Sequence, residues 1–272
     1  MDMALVSIEL KTHEFTLIRD LLHRICGIHM PPGKEGLVKA RLAKRLNVLQ
    51  LNSFEAYIDF VQNSSDELAI MVDELTTNKT NFFREPAHFK FLTQHALTDL
   101  PQKRKMRIWS AACSTGEEPY TVSMQIHDSV TNLGQMDVRI LATDISPTVL
   151  AKARAGVYEQ NSMDGISEAQ KRKYFTDVNN ATSIAYRVSD QVRSLVTFAR
   201  LNLMEPWSMQ GPFDVIFCRN VMIYFDKETR EKLIQRFYEI LRPSGYLFVG
   251  HSESLSSLAH PFEYVQPAIY MK

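Results

Sequence analysis

Residues 213–226 read Phe213-Asp214-Val215-Ile216-Phe217-Cys218-Arg219-Asn220-Val221-Met222-Ile223-Tyr224-Phe225-Asp226. The run at 215–217 is apolar, β-branched or aromatic, and does not alternate with polar residues. That pattern suits a central strand buried on both faces of a parallel sheet. The run then empties into Arg219-Asn220 before a second apolar cluster. Arg219, Asn220 and Tyr224 therefore fall just past the carboxyl end of a parallel strand, where open α/β sheets place their ligands. The segment points to an enzyme.

The hydrophobic period divides the rest of the chain in two. From Thr12 to about Thr76 it is helical. Phe15, Ile18, Leu22 and Ile25 mark a first helix stopped by Gly27, and Pro31-Pro32-Gly33 is a loop. Val38, Leu42, Leu46 and Leu49 form one face of a second helix. Ser53 caps a third, with Phe54, Tyr57, Ile58 and Val61 as its apolar side. Ser64 with Glu67 three residues on resembles a capping box for a fourth. After Pro101 the segments 107–111, 138–142, 195–198, 215–217 and 246–249 read as five buried strands alternating with helical or polar stretches, so βαβ units are expected. A strand interrupted near Gln266-Pro267 ends the chain.

Length and composition narrow the class. A chain of 272 residues is long enough for one large or two modest domains. The 31 Lys and Arg balance 31 Asp and Glu, so net charge suggests no nucleic-acid partner. The opening residues from Met1 do not resemble a signal peptide, and no window approaches a membrane span. Cys26, Cys113 and Cys218 are odd in number and far apart, which predicts reduced thiols in a cytoplasmic protein and neither disulfide framework nor metal site. Nothing in the sequence requires more than a monomer.

Two stretches bear on binding. Lys34, Arg41 and Arg45 stack along one stripe of the second helix, with Lys44 nearby. The stripe is either a solvated face or a docking surface for an acidic partner. The stretch Ile108-Trp109-Ser110-Ala111-Ala112-Cys113-Ser114-Thr115-Gly116-Glu117-Glu118-Pro119-Tyr120 reads as strand, tight loop and helix. A pyrophosphate wants bare N–H groups at a helix start, and Glu117 and Glu118 would repel it. They would attract a ligand carrying an ammonium or sulfonium, or else merely complement the helix dipole. Asp144, at the tip of the next strand, suits a ribose diol. Asn202, past the strand at 195–198, could read an adenine edge, although either residue could be an ordinary turn residue. Taken together they describe a nucleoside with a cationic amino-acid tail, namely S-adenosylmethionine.

These motifs resemble the chemotaxis receptor methyltransferases, the CheR family of protein-glutamate O-methyltransferases. The resemblance rests on Leu75-Thr76-Thr77-Asn78-Lys79-Thr80-Asn81-Phe82-Phe83-Arg84-Glu85, on Ser114 to Tyr120, on Ala142-Thr143-Asp144-Ile145, on the stretch from Phe217 to Asp226 and on Gly250-His251-Ser252-Glu253-Ser254. It implies a small N-terminal all-α domain (1–75) that docks the receptor and a linker (76–100) that contributes to the cofactor site. The rest (101–272) would be a class I S-adenosylmethionine-dependent methyltransferase domain, an α/β fold with a Rossmann-like, mostly parallel sheet. A short antiparallel β-subdomain would be inserted at 173–194, and the sheet would end in an antiparallel hairpin. Asn78, Thr80 and Arg84 would contact the cofactor from the linker. Glu118, in preference to Glu117, would hold its methionine part, Asp144 its ribose, and Asn202 with Leu203 its adenine. Cys218 and Arg219 would close the site, with Tyr224 beside the reacting methyl. Cys218 itself reads as a small apolar strand residue.

The implied substrates are glutamates on the cytoplasmic helices of chemoreceptors, which gives the basic stripe of Lys34, Arg41, Lys44 and Arg45 a use. The product would be S-adenosylhomocysteine, and no metal is implied. Members that tether to a receptor's C-terminal peptide use a glycine-bearing loop in the β-subdomain. Here the turn has Asn179-Asn180 and no glycine, so independence from that peptide is expected. A glutamate is already an anion near neutral pH, at a pKa of about 4.3, and needs no general base. Arg219 is expected to shape the pocket rather than clamp the substrate, because a tight ion pair would stabilise the ground state. Tyr224 would orient the attacking oxygen, and His251 is assigned no chemistry. Two other classes compete. A methyltransferase acting on nucleic-acid amines usually carries Asp/Asn-Pro-Pro-aromatic where this chain has Arg219-Asn220-Val221-Met222. A non-catalytic module that senses the cofactor or its product is disfavoured by intact Arg84, Asp144, Arg219 and Tyr224.

Overall fold

The computed structural model describes residues 8–76, 78–179 and 184–272. The reading of the first residues as no signal peptide falls partly on 1–7, outside this description, as do Thr77 of the linker motif and Asn180 of the glycine-free turn. Two compact units are present. The described residues up to 76 form one with Tyr224–Asp226, and Asn78–Ile223 forms the other with Lys227–Lys272.

The first unit is helical: α1 (Thr12–Cys26), α2 (Glu35–Val48), α3 (Phe54–Gln62) and α4 (Ser65–Leu75). Phe15, Ile18 and Leu22 of α1 are buried, as are Val38, Leu42 and Leu46 of α2. Gly27 ends α1 in the left-handed region at φ 71°, and its N–H donates to the His23 carbonyl. The Ser53 hydroxyl accepts from the Ala56 N–H at 3.2 Å and so caps α3. At α4 only half of the expected capping box forms. The Ser64 hydroxyl accepts from the Glu67 N–H, but the Glu67 carboxylate turns away to Arg45 at 2.6 Å and accepts from the Tyr57 hydroxyl at 3.1 Å. A guanidinium outbids a backbone N–H for a buried carboxylate.

The second unit opens with α5 (Pro86–Phe91), α6 (Leu100–Lys103) and β1 (Lys105–Ala111). It continues through α7 (Glu117–Ser129), β2 (Asp137–Asp144), α8 (Pro147–Ala155), β3 (Val157–Glu159), α9 (Glu168–Tyr174), β4 (Phe175–Asp177) and β5 (Ala185–Val188). Then come α10 (Asp190–Arg193), β6 (Val196–Arg200), β7 (Phe213–Cys218), α11 (Lys227–Ile240), β8 (Leu241–Val249), β9 (Glu263–Gln266) and β10 (Ile269–Met271). Seven strands make one sheet in the order β6-β2-β1-β7-β8-β10-β9, and three make a smaller antiparallel sheet in the order β3-β5-β4. The small sheet takes its first strand from Val157–Glu159, ahead of 173–194. The large sheet is parallel from β6 to β8, and β10 pairs antiparallel with both β8 and β9.

Val215, Ile216 and Phe217 are fully buried, as a central strand requires. The strand expected at 195–198 is different. As β6 it forms the sheet's edge, pairs among the described residues with β2 alone, and leaves Thr197 and Arg200 exposed. No described strand lies beyond it, so none of its residues is fully buried. No described helix is long and apolar enough to cross a membrane.

Register decides where the strands end. Ala111 lies level with Thr143 on one side and Cys218 on the other, and Cys218 lies level with Val249. The next residues, Ala112, Asp144, Arg219 and Gly250, therefore gather along one edge of the sheet. Chain order reverses about β1, and this is the edge at which open α/β sheets place their ligands.

Candidate active site

The turn from β1 into α7 is held in an unusual backbone shape. Ala112 and Ser114 carry φ of 62° and 49°, and Gly116 has φ 96°. Non-glycine residues held there cost about 1 kcal/mol or more each and mark functional loops. A Cβ on Gly116 would lie 2.9 Å from the Ala153 side chain, so glycine is needed on packing grounds as well. The turn carries the Ser114 N–H to the Asp144 carboxylate at 2.8 Å, and the Ser146 N–H meets its other oxygen at 3.0 Å. Asp144 is buried and thus fixed at the tip of β2. The Leu201 N–H donates to the Asp144 carbonyl, which brings the end of β6 alongside.

The two glutamates at the start of α7 part company. Glu117 is buried and accepts from the Thr115 hydroxyl at 2.7 Å, and burial pushes its carboxyl above the usual range. Glu118 faces the strand ends. It accepts from the Ser110 hydroxyl at 2.7 Å and pairs with Arg219 at 2.9 Å. Arg219, its side chain 2 % exposed, also pairs with Glu85 at 3.1 Å and donates to the Arg84 carbonyl. One guanidinium therefore lies between two carboxylates. Burial is the largest influence on the Glu85 carboxyl and raises it, but the charge and hydrogen bond of Arg219, together with the His251 N–H, hold the group below its ordinary value. Glu85 itself sits at φ 59°.

The linker residues reach the same edge. The Asn78 carbonyl accepts from the Ser114 hydroxyl at 2.9 Å, Thr80 is half-buried two residues on, and Arg84 folds back to the Lys79 carbonyl. Asn202 makes a turn of its own. Its Oδ1 accepts from the Met204 N–H, and its Nδ2 donates to Glu205 at 3.1 Å. Leu203 is buried beside it. Cys218 is fully buried, and burial pushes its thiol well up, so it remains neutral. Tyr224 closes a short turn and belongs to the helical unit, where its carbonyl accepts from the His29 N–H at 2.7 Å.

Glu85 and Glu253 were given no role on sequence grounds, yet both are built into this edge. The buried Glu253 carboxylate accepts from the N–H groups of Asn220 at 2.6 Å, Gly250 at 2.7 Å and Ile223 at 3.1 Å. An acid directly after Phe-Phe-Arg, and another after His-Ser, are the only signals that could have found them.

Among the basic residues proposed to dock a partner, Lys34 and Lys44 are exposed. Arg41 donates to the Thr76 carbonyl at 3.0 Å, and Arg45 is committed to Glu67. The stripe is thus divided between surface and interior.

Fixed carboxylates at the tip of β2 and the head of α7, with small residues between, fit a nucleoside bearing a cationic tail and reject a pyrophosphate. The model for the CheR methyltransferase all-alpha domain matches residues 13–76, and that for the CheR methyltransferase SAM binding domain matches residues 78–271. The chain belongs to the CheR methyltransferase family. It is 40% identical over 257 residues to a probable chemotaxis protein methyltransferase of Rhizobium etli, covering 92% of this chain and 96% of that protein. Chemotaxis protein methyltransferase 2 of Pseudomonas aeruginosa is 41% identical over 260 residues, or 94% and 92% of the two chains. The chemotaxis protein methyltransferase of Escherichia coli is 38% identical over 260 residues, or 94% and 89%. Membership in the CheR family makes the larger unit an S-adenosylmethionine-binding methyltransferase domain.

Proposed function

We propose that this CheR-family enzyme methylates glutamate side chains on the cytoplasmic helices of chemoreceptors, leaving glutamate methyl esters and S-adenosylhomocysteine. When bound, S-adenosylmethionine supplies a methyl group on a cationic sulfur. Asp144 would hold the ribose, and Glu118 the methionine part. Asn202 and Leu203 would flank the adenine. Asn78, Thr80 and Arg84 would contact the cofactor from the linker, while Cys218 lines the pocket as a neutral thiol.

The observation that carries the reading is the position of Arg219 between Glu85 and Glu118. A guanidinium already neutralised on two sides is poorly placed to clamp an incoming carboxylate, so the substrate keeps its nucleophilicity. The substrate oxygen would take the methyl carbon that S-adenosylmethionine supplies, and the sulfur would leave with the bonding pair as neutral S-adenosylhomocysteine. A glutamate of pKa about 4.3 arrives ionised, so no residue need take a proton. Tyr224 would orient the attacking oxygen and help exclude water. Alignment of this kind can lower a barrier by several kcal/mol, on the order of what effective molarity supplies. No step calls for a metal ion, and turnover is expected to survive chelation.

The test is transfer of labelled methyl from S-adenosylmethionine to a receptor cytoplasmic fragment, followed by base. Release of the label as methanol is expected. Stable label would mean that an amine is modified, and cofactor binding without transfer would favour a sensor. We further propose that docking does not depend on a receptor's C-terminal peptide. Micromolar binding of such a peptide, abolished by changes in 173–190, would overturn that part alone.

A further inference from the structure

Two histidines converge on Glu85. His88, on α5, is fully buried, yet neither ring nitrogen has a hydrogen-bond partner among the described residues. Its Nδ1 stands 3.4 Å from Glu85 Oε2, and His251 Nε2 stands 3.9 Å from the same oxygen. One ligand atom from each of the three residues lies within 4.8 Å of the other two. The two imidazole rings meet edge to face with centroids 5.1 Å apart. Leaving a buried polar atom without a partner is costly, and native interiors rarely do so without a reason.

The chemistry of the three groups supplies one. The His88 ring is buried with both nitrogens unpartnered, and an imidazole nitrogen so placed can offer a lone pair to a metal. Glu85 offers the carboxylate oxygen that both rings approach. His251 is about half exposed, so solvent reaches the cluster at that residue. Two imidazoles and one carboxylate make a donor set for a borderline divalent ion and a poor one for Mg2+ or Ca2+, which prefer all-oxygen shells.

We propose that Glu85, His88 and His251 form a binding site for Zn2+ or a similar borderline transition ion, with His251 as the solvent-facing ligand. Glu85 then bridges the ion and Arg219, whose guanidinium lies 3.1 Å from the same carboxylate oxygen. That positive charge weakens the site, so it binds more loosely than a structural zinc held by four ligands. The inference concerns binding alone and rests neither on the receptor reading nor on the cofactor.

The experiment is calorimetric titration of chelator-treated full-length protein with Zn2+, together with visible absorption of the Co2+ complex. One ion per chain is expected. His251→Ala, at an exposed position that the fold can spare, should weaken binding by about tenfold or more. The Co2+ spectrum should show ligand-field bands and no thiolate charge transfer. No uptake of Zn2+, unchanged affinity in His251→Ala, or a thiolate band would each overturn the assignment. The first would leave His88 to an ordered water, and the last would move the ion to a cysteine.

Discussion

Glu67 is 4 % exposed, and its charge is tolerable there only because Arg45 and the Tyr57 hydroxyl meet it. Removing one partner of a buried pair leaves the other uncompensated, which is costlier than losing a surface pair. Arg45→Ala is therefore expected to destabilise the protein by about 2–4 kcal/mol, a little under the fully buried case because Arg45 keeps some water contact. Lys44→Ala, on the exposed side of the same helix, should change stability by no more than about 0.5 kcal/mol. Urea denaturation of both variants checks this. A stable Arg45→Ala that loses only receptor methylation would return Arg45 to a docking role. The same logic applies to Arg219, which balances Glu85 and Glu118. Arg219→Ala should weaken cofactor binding along with turnover, because two carboxylates facing one another would spoil the pocket. Unchanged cofactor affinity with collapsed turnover would sink that assignment. The pH dependence has a definite sign. Glu85 is held below its ordinary value, so its stabilisation is present above the unfolded pKa of about 4.3 and lost as pH falls through the folded value. The destabilisation caused by Arg219→Ala should thus be largest near neutral pH and shrink in acid.

Glu253 acts between elements. Its carboxylate joins the turn after β8, through the Gly250 N–H, to the turn after β7, through Asn220 and Ile223. Asn220 is held at φ 59°, and a Cβ on Gly250 would lie 2.6 Å from both the Asn220 and Glu253 side chains, so the join tolerates no bulk. Glu253→Ala orphans three N–H groups and should cost about 2–4 kcal/mol. In Glu253→Asp, one methylene shorter, turnover should fall further than cofactor affinity, because Asp144 and Glu118 belong to other strand ends. Parallel measurement of kcat and of cofactor Kd checks this, and equal losses in both would refute it. Such joins explain what was legible in the sequence and what was not. Strand β7 is legible in its unbroken apolar run, and so are the places of Asp144 at a strand end and of Glu118 in the first turn of a helix. Those signals are local. Glu85 meets Arg219 across 134 positions, and Glu253 meets Asn220 across 33, so neither pairing leaves a mark that spacing can detect. Edge and centre were likewise indistinct, since β6 has the composition of a buried strand and acquires its exposure only from its place in the order. The Glu67 carboxylate was misassigned to its own helix end for the same reason, its stronger partner being on α2.

At the scale of the molecule, charge cancels: 31 basic residues against 31 acidic ones. If the partner is an acidic receptor helix, as proposed, long-range attraction toward it would come from local imbalance and not from net charge. Lys34 and Lys44 remain exposed on α2, whereas Arg41 and Arg45 are engaged within their own unit. Exposed charges are screened over roughly 10 Å at 0.1 M salt and about 3 Å at 1 M, while buried groups are screened far less. The two binding steps should consequently separate in a salt titration. Asp144 is buried and Glu118 is only 12 % exposed, so cofactor affinity should vary little. Receptor methylation at limiting substrate should decline several-fold, chiefly through slower encounter. Replacing Lys34 and Lys44 together by glutamine should lower kcat/KM at low salt and flatten its salt dependence, leaving kcat at saturating receptor nearly unchanged. If the double variant kept the salt slope of the parent, the receptor would have to approach by another face, and the exposed half of the stripe would be no more than a solvated surface.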